Sequence, residues 1–158
     1  MPTEHTKNFA VLVSTSRNWT NYRHTVDVLS IYQRIRRLGV SDSNIVLMIP
    51  EVMACTEENS LKGIVLNDAK ERKNLYTEDI ELDYRGYDVT PENFIRVLSG
   101  LIPKEFPKNM HLLSDEQSNV LIYMTGHGGD GFLKFQDRER ITSMDLANAI
   151  EFMFQKKR

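Results

Sequence analysis

The stretch VLIYMTGHGGDGFLKFQD, residues 120–137, decides the fold expected for this chain. Its first five residues, Val120 to Met124, are all apolar, which is typical of a buried strand. The strand stops at Thr125-Gly126-His127-Gly128-Gly129, where glycines allow a sharp turn and leave room beside the imidazole. Histidine is the side chain that most readily gains and loses a proton near neutral pH. The stretch therefore predicts a strand that carries a general base at its carboxyl end.

Apolar runs and helical periodicities alternate along the rest of the chain. We predict strands at 9–14, 45–49 and 119–124, and helices at 22–38, from Thr90 toward Pro103, and 142–154. Residues 51–88 are polar with weak periodicity, which predicts a long, partly structured loop. This order favours an α/β fold with a mostly parallel sheet flanked by helices.

Size and charge exclude several classes of protein. A chain of 158 residues fits a single domain, and its net charge of −2 argues against a nucleic-acid-binding protein. Arg34, Arg36 and Arg37 cluster near the carboxyl end of a predicted helix, where the helix dipole favours cations. No apolar run approaches the roughly 20 residues that span a bilayer, and the first residues do not resemble a signal peptide. Composition alone therefore indicates a soluble protein.

Two polar clusters follow predicted strands, at residues 14–24 and 125–130. In parallel sheets, ligands bind at the carboxyl ends of strands, so these clusters are expected to converge. Asn21 there can accept a hydrogen bond from the His127 imidazole and fix its tautomer. Arg23 can bind a substrate carbonyl or carboxylate. The alternative is that Asn21 only caps the following helix, and the pattern leaves both open.

Several motifs carry a resemblance to a known family. NYRH at 21–24 and TGHGG at 125–129 resemble cysteine peptidases of the clan that contains legumain. VLVSTSR, DYRGYDVTPENFIRVL and LSDEQSNVLIYMTGHGGDGFLKFQD resemble, within that clan, the catalytic subunits of glycosylphosphatidylinositol (GPI) transamidases. The resemblance extends from about Asn8 to Arg158. It implies that residues 1–158 are one partial, caspase-like catalytic domain.

The family attaches a GPI lipid to proteins through a cysteine–histidine dyad. The resemblance implies that His127 is the catalytic histidine, Asn21 its supporting residue and Gly128 an oxyanion donor. Arg23 and His24 match a segment that lines the substrate pocket. The implied partners are other transamidase subunits, precursor proteins with a C-terminal GPI signal, and the GPI lipid, on the lumenal side of the endoplasmic reticulum membrane. No cofactor is required for this chemistry.

The chain departs from the family pattern at the nucleophile. In the family this cysteine follows the next strand, in an Asp-Thr-Cys-like segment, whereas this sequence ends at Arg158, about where that strand should begin. We expect the 158-residue chain alone to have no transamidase activity. Two alternatives remain: a non-catalytic pseudoenzyme or binding module, and a legumain-like asparaginyl protease.

Cys55 is the only cysteine of the sequence. An unpaired cysteine is usually a small buried apolar residue. The resemblance instead implies a disulfide between Cys55 and a partner subunit.

Three carboxylates, Asp42, Glu81 and Asp83, are hard oxygen ligands. Acidic loops are usually only solvated, but the resemblance implies that these three residues hold a structural Ca²⁺.

Overall fold

The computed structural model describes residues 5–158. Four parallel strands form the main sheet: β1 (Lys7–Ser14), β2 (Ile45–Ile49), β3 (Tyr84–Arg85) and β4 (Ser118–Thr125). Their order across the sheet is β3-β2-β1-β4. A small antiparallel sheet follows, made of β5 (Gly128–Gly129), β6 (Phe132–Phe135) and β7 (Glu139–Thr142). The α-helices are α1 (Tyr22–Arg37), α2 (Pro91–Ser99) and α3 (Ser143–Gln155).

Strand β1 lies in the middle of the sheet and is buried on both faces. Its side chains alternate between two cores, because successive residues of a strand point to opposite faces. Val11 and Val13 pack with residues of α2 and α3, whereas Ala10 and Leu12 pack with residues of α1. Coverage on both faces explains why this strand is continuously apolar in the sequence. The predicted α/β architecture is confirmed.

Local signals set the ends of the helices. The Thr90 side chain accepts a hydrogen bond from the Asn93 N–H at the start of α2. At the start of α3, Thr142 and Asp145 form a reciprocal capping box. The prediction that prolines close the second helix was wrong. Gly100, with φ of 68°, ends α2 in a left-handed conformation before Pro103 is reached.

Two elements differ from the sequence-based prediction. The irregular stretch 51–88 contains β3, a two-residue strand that pairs with the end of β2. The hairpin from β5 to β7 was not predicted at all. Both elements are short, so neither carries an apolar alternation long enough to predict a strand.

The outer edge of β4 is unpaired within residues 5–158. Leu121 on this strand is 44% exposed, whereas the central residues of β1 are fully buried. Across the part of the chain that the structure describes, no helix is both long and apolar enough to cross a membrane.

Candidate active site

The carboxyl ends of β1 and β4 meet at one edge of the sheet. Ser14 pairs with Thr125 in the ladder, and the Thr15 N–H donates to the Thr125 carbonyl at 2.9 Å. The turn with Asn21 follows β1, and the turn with His127 follows β4. The two predicted polar clusters therefore lie side by side.

His127 and Asn21 are joined by a hydrogen bond of 2.7 Å between Nε2 and Oδ1. The Asn21 Nδ2 donates to the Arg17 carbonyl at 2.6 Å, so its Oδ1 is the atom that faces the imidazole. Because Oδ1 can only accept, His127 carries its proton on Nε2 and keeps the Nδ1 lone pair free. Asn21 is buried and makes no side-chain capping bond to α1, so of the two readings of this residue the structure supports the contact with His127.

His24 lies beside this histidine–asparagine pair. Its ring is 5.1 Å from that of His127, edge to face at 82°, and its Nδ1 is 2.8 Å from the Ser16 hydroxyl. Burial lowers the pKa of His24, and the charges of Arg23 and His127 lower it further. A neutral imidazole is thereby favoured next to His127. His24 is only 6% exposed, and its contacts are with Ser16 and His127. Its predicted role in substrate binding stays a prediction.

Arg23 points to the surface at the start of α1. One guanidinium nitrogen donates to the Thr20 carbonyl at 3.0 Å, and the side chain is exposed. Its remaining N–H groups are free to reach a substrate, which leaves its predicted binding role a prediction.

Two glycines around His127 are required by close contacts. A Cβ at Gly126 would collide with the Thr15 hydroxyl, and one at Gly128 would lie 2.7 Å from the Phe132 carbonyl oxygen. The Lys134 N–H donates to the His127 carbonyl at 2.7 Å, which makes Gly128 and Leu133 a non-hydrogen-bonded pair of the hairpin. The Gly128 N–H therefore faces away from β6 and is not consumed by the hairpin ladder. An oxyanion donor needs an N–H that is free in this way, and the role of Gly128 stays a prediction.

Comparison with known proteins identifies the family of the chain. The profile of the peptidase C13 family matches residues 8–158. The chain belongs to the peptidase C13 family. It is 55% identical over 154 residues to the GPI-anchor transamidase of Homo sapiens and 53% identical over 154 residues to that of Saccharomyces cerevisiae. It is 56% identical over 154 residues to the putative GPI-anchor transamidase of Drosophila melanogaster.

These matches cover 98% of the chain but 39%, 38% and 43% of the human, yeast and fly proteins. The chain thus spans about two fifths of the length of the C13 relatives it matches.

The one cysteine of this C13 chain does not contact the histidine. Cys55 is exposed and free, in the irregular segment after β2. Within residues 5–158 no hydrogen bond joins its thiol to His127. The pair of His127 and Asn21 is therefore present here without a thiol partner.

The three predicted metal ligands all accept hydrogen bonds from protein groups, and two of them share one amide donor. Asp83 accepts from the Leu47 N–H at 2.7 Å and from the Asn109 amide at 2.8 Å. The same amide is 3.2 Å from Glu81, and Asp42 accepts from the Tyr32 hydroxyl at 2.7 Å.

Burial raises the pKa of Asp83 to about 7, and the neighbouring charges of Asp42 and Glu81 also raise it. The two hydrogen bonds to Asp83 act in the opposite direction.

The oxygen-only donor set fits Ca²⁺, which prefers carboxylates and carbonyls. A divalent cation would also neutralise the charge that disfavours ionised Asp83. Across residues 5–158, however, no three acidic, histidine or cysteine side chains are close enough together to form a metal cluster. Backbone carbonyls and water would have to complete the shell, and the calcium site stays a prediction.

Gln136 is a structural residue that the sequence did not single out. Its N–H donates to the Thr15 carbonyl at 2.8 Å, and its side-chain amide donates to the carbonyls of Gly86 and Val89 at 2.9 and 2.7 Å. It thereby links the β6–β7 turn to the segments that follow β1 and β3. Its place within the long motif at 113–137 was the only available signal.

Proposed function

We propose that this chain is the part of a GPI transamidase catalytic subunit that carries the general base. The observation that supports this most directly is the hydrogen bond from His127 to Asn21 at the strand ends. A buried asparagine that accepts from one imidazole nitrogen leaves the other nitrogen as a base, as in Cys-His-Asn sites. The 55% identity to named GPI-anchor transamidases supports the same reaction.

In the proposed reaction, His127 Nδ1 takes the proton of a cysteine thiol. The thiolate attacks the carbonyl carbon at the attachment site of a precursor protein, and the Gly128 N–H stabilises the oxyanion. The imidazolium then protonates the leaving amine, which releases the C-terminal signal peptide and leaves a thioester. The ethanolamine amine of the GPI lipid attacks this thioester and gives a proton to His127. The C–S bond then breaks, the amide product is released, and the imidazolium returns the proton to the thiolate.

The cysteine would come from the sequence that follows α3. The matched relatives are about two and a half times as long as this chain, and the β4 edge is free to pair with a further parallel strand. A strand at this edge would end beside His127, because parallel strands share their carboxyl edge. We propose that residues 1–158 belong to one catalytic domain completed in this way.

The remaining predicted features fit the same assignment. Arg23 is exposed and therefore accessible for precursor binding. His24 is buried and packs edge to face against the His127 ring, so it would affect the precursor only through His127. Exposed Cys55 is accessible for a disulfide with another subunit of the complex. Asp42, Glu81 and Asp83 would hold Ca²⁺, which would lock the segment before β3 and take no part in the chemistry. The enzyme would work at the lumenal side of the endoplasmic reticulum membrane.

The test is turnover by the assembled enzyme that contains this region. His127→Ala should lower kcat by at least about 10³-fold, because the variant loses its proton acceptor. His111→Ala, which removes an imidazole outside this site, is the matched control. Near-normal turnover of His127→Ala would refute the assignment.

Two acceptors of the acyl group, hydroxylamine and water, distinguish a transamidase from an asparaginyl protease. A transamidase should transfer the precursor to hydroxylamine in place of the lipid, whereas an asparaginyl protease should release the free acid in its presence. Formation of neither the hydroxamate nor the free acid would indicate the non-catalytic alternative.

A further inference from the structure

Arg17, Tyr87 and Arg138 form a cluster at the same sheet edge as His127. Arg17 follows β1, Tyr87 lies in the short turn after β3, and Arg138 lies in the turn between β6 and β7. The guanidinium carbons are 4.7 Å (Arg17) and 5.3 Å (Arg138) from the centroid of the Tyr87 ring. The ring is 66% exposed. Two cations are thus held against one accessible aromatic ring.

Gln136 holds this arginine–tyrosine cluster in place. Its side-chain amide donates to the carbonyls of Gly86 and Val89, on either side of Tyr87, and its Oε1 is 3.4 Å from an Arg17 nitrogen. Gln136 itself has φ of 53°, an uncommon conformation for a residue with a side chain. One side chain therefore links the three segments that carry the cluster.

The positive charge of the cluster is not neutralised by the protein. Within residues 5–158, neither Arg17 nor Arg138 has a carboxylate oxygen within 4.0 Å. Two guanidinium groups at 4.7 and 5.3 Å from the same ring centroid make this position favourable for an anion. A cavity of about 300 Å³ opens on the Arg138 side of the ring; Tyr87, Gln136 and Arg138 line it together with the acidic Glu139, and Arg17 is not part of its wall. That volume is at the lower end of the range for small-molecule sites.

We propose that the arginine–tyrosine cluster binds a phosphate group carried by the amine acceptor. One planar guanidinium satisfies the two oxygens of a carboxylate, whereas two guanidinium groups from separate segments match the additional oxygens of a tetrahedral phosphate. Asn21, which holds His127, also donates to the Arg17 carbonyl. Phosphate bound at the cluster would hold its carrier at the sheet edge that also carries the general base, and an amine on the same carrier would extend from there to the thioester. This inference rests on the proposed function and specifies how its acceptor is recognised.

The binding test uses the 158-residue chain with inorganic phosphate, O-phosphorylethanolamine and ethanolamine at constant ionic strength. Both phosphates should shift the NMR signals of the Arg17 and Arg138 Nε–H groups and of Tyr87, and ethanolamine should not. Tighter binding of phosphorylethanolamine than of inorganic phosphate would support a carried phosphate. Equal binding, or shifts with ethanolamine alone, would overturn it.

Variants decide whether the cluster itself is the site. The double variant with Arg17→Gln and Arg138→Gln should bind phosphorylethanolamine at least about tenfold more weakly, since two charge-assisted contacts are lost. Arg37→Gln, which removes an exposed arginine from the end of α1, is the matched control and should bind as the unmodified chain does. Unchanged affinity in the double variant would overturn the proposal.

In the assembled enzyme, the measurement is the KM for two acceptors. Arg138→Gln should raise the KM for a phosphate-bearing amine about tenfold more than the KM for hydroxylamine, which carries no phosphate. Equal changes in both KM values would refute the phosphate site while leaving the transamidase assignment intact. No transfer to either acceptor by the unmodified enzyme would refute the proposed function instead.

Discussion

The histidine–asparagine pair and the carboxylate group around Asp83 are both polar, but their hydrogen bonding differs. In the pair, every contact joins a donor to an acceptor: His127 donates to Asn21, and Asn21 donates to the Arg17 carbonyl. Asp83 also accepts two hydrogen bonds, yet burial and its acidic neighbours still raise its pKa to about 7. In the first site the Asn21 amide and the His127 Nε2–H are paired and Nδ1 is left as the base, whereas in the second site burial and like charge disfavour the ionised carboxylate.

After the loss of His127 itself, removal of the hydrogen-bond acceptor Asn21 should have the largest effect. Asn21→Ala should lower kcat of the assembled enzyme about 10²-fold, because the His127 ring loses the bond that fixes its tautomer. Asn21→Asp should recover part of this activity and shift the pH–rate profile, because a carboxylate accepts the same bond and stabilises the imidazolium. Full activity of Asn21→Ala would reduce Asn21 to a structural residue.

Binding of Ca²⁺ to the carboxylates around Asp83 should stabilise the folded protein. We expect Ca²⁺ at about 100 times its Kd to stabilise the 158-residue chain by about 2.7 kcal/mol, read as a rise in Tm. Asp83→Asn should abolish this response, and Glu57→Gln, at an exposed acid elsewhere, should retain it. An unchanged Tm over millimolar Ca²⁺ would show that the three carboxylates do not form a calcium site.

His24 should make a smaller contribution to the free energy of unfolding, and this contribution should depend on pH. Its pKa in the folded protein is lowered, mainly by burial, so below about pH 6.5 the unfolded chain binds more protons than the folded one. Stability should therefore fall as the pH drops below that value, by at most about 1.4 kcal/mol per pH unit for one group. His24→Gln should flatten this slope between pH 5 and 7. If the free energy of unfolding depended on pH in the same way in the unmodified chain and in His24→Gln, His24 would not be the group responsible.

Cys55→Ser should have the smallest effect on the chain itself, because the thiol is exposed and free. Unfolding should be unchanged, but a reduction-sensitive crosslink to a larger subunit should disappear from non-reducing gels of the assembled enzyme. Absence of that crosslink in the unmodified enzyme would end the disulfide proposal.

The sequence predicted those features that a single segment encodes. Continuous apolar runs identified β1, β2 and β4, and Thr90 with Pro91 marked the start of α2. Strand β3 could not be found in this way, since its two residues are strands only because they pair with β2.

The same distinction holds for the site. The positions of Asn21 and His127 after strands of one parallel sheet predicted that the two polar clusters would converge, but left open whether Asn21 contacts His127 or caps the helix. The cluster around Tyr87 depends on the Gln136 side chain, which reaches the Gly86 and Val89 carbonyls from a positive-φ position in the turn between β6 and β7. No sequence pattern predicts that contact. Contacts between irregular segments therefore needed the structure.

The long ladder between β1 and β4 also bears on how the protein folds. Residues paired across it are about 111 positions apart, as Asn8 and Asn119 are, and 106 positions separate Asn21 from His127. Closing such a loop costs entropy before any contact compensates for it, and proteins dominated by distant contacts fold slowly. During synthesis from the N-terminus, β1 can pair with β4 only after more than 100 further residues have left the ribosome. The general base is therefore assembled late, as one of the last local environments of this chain to form.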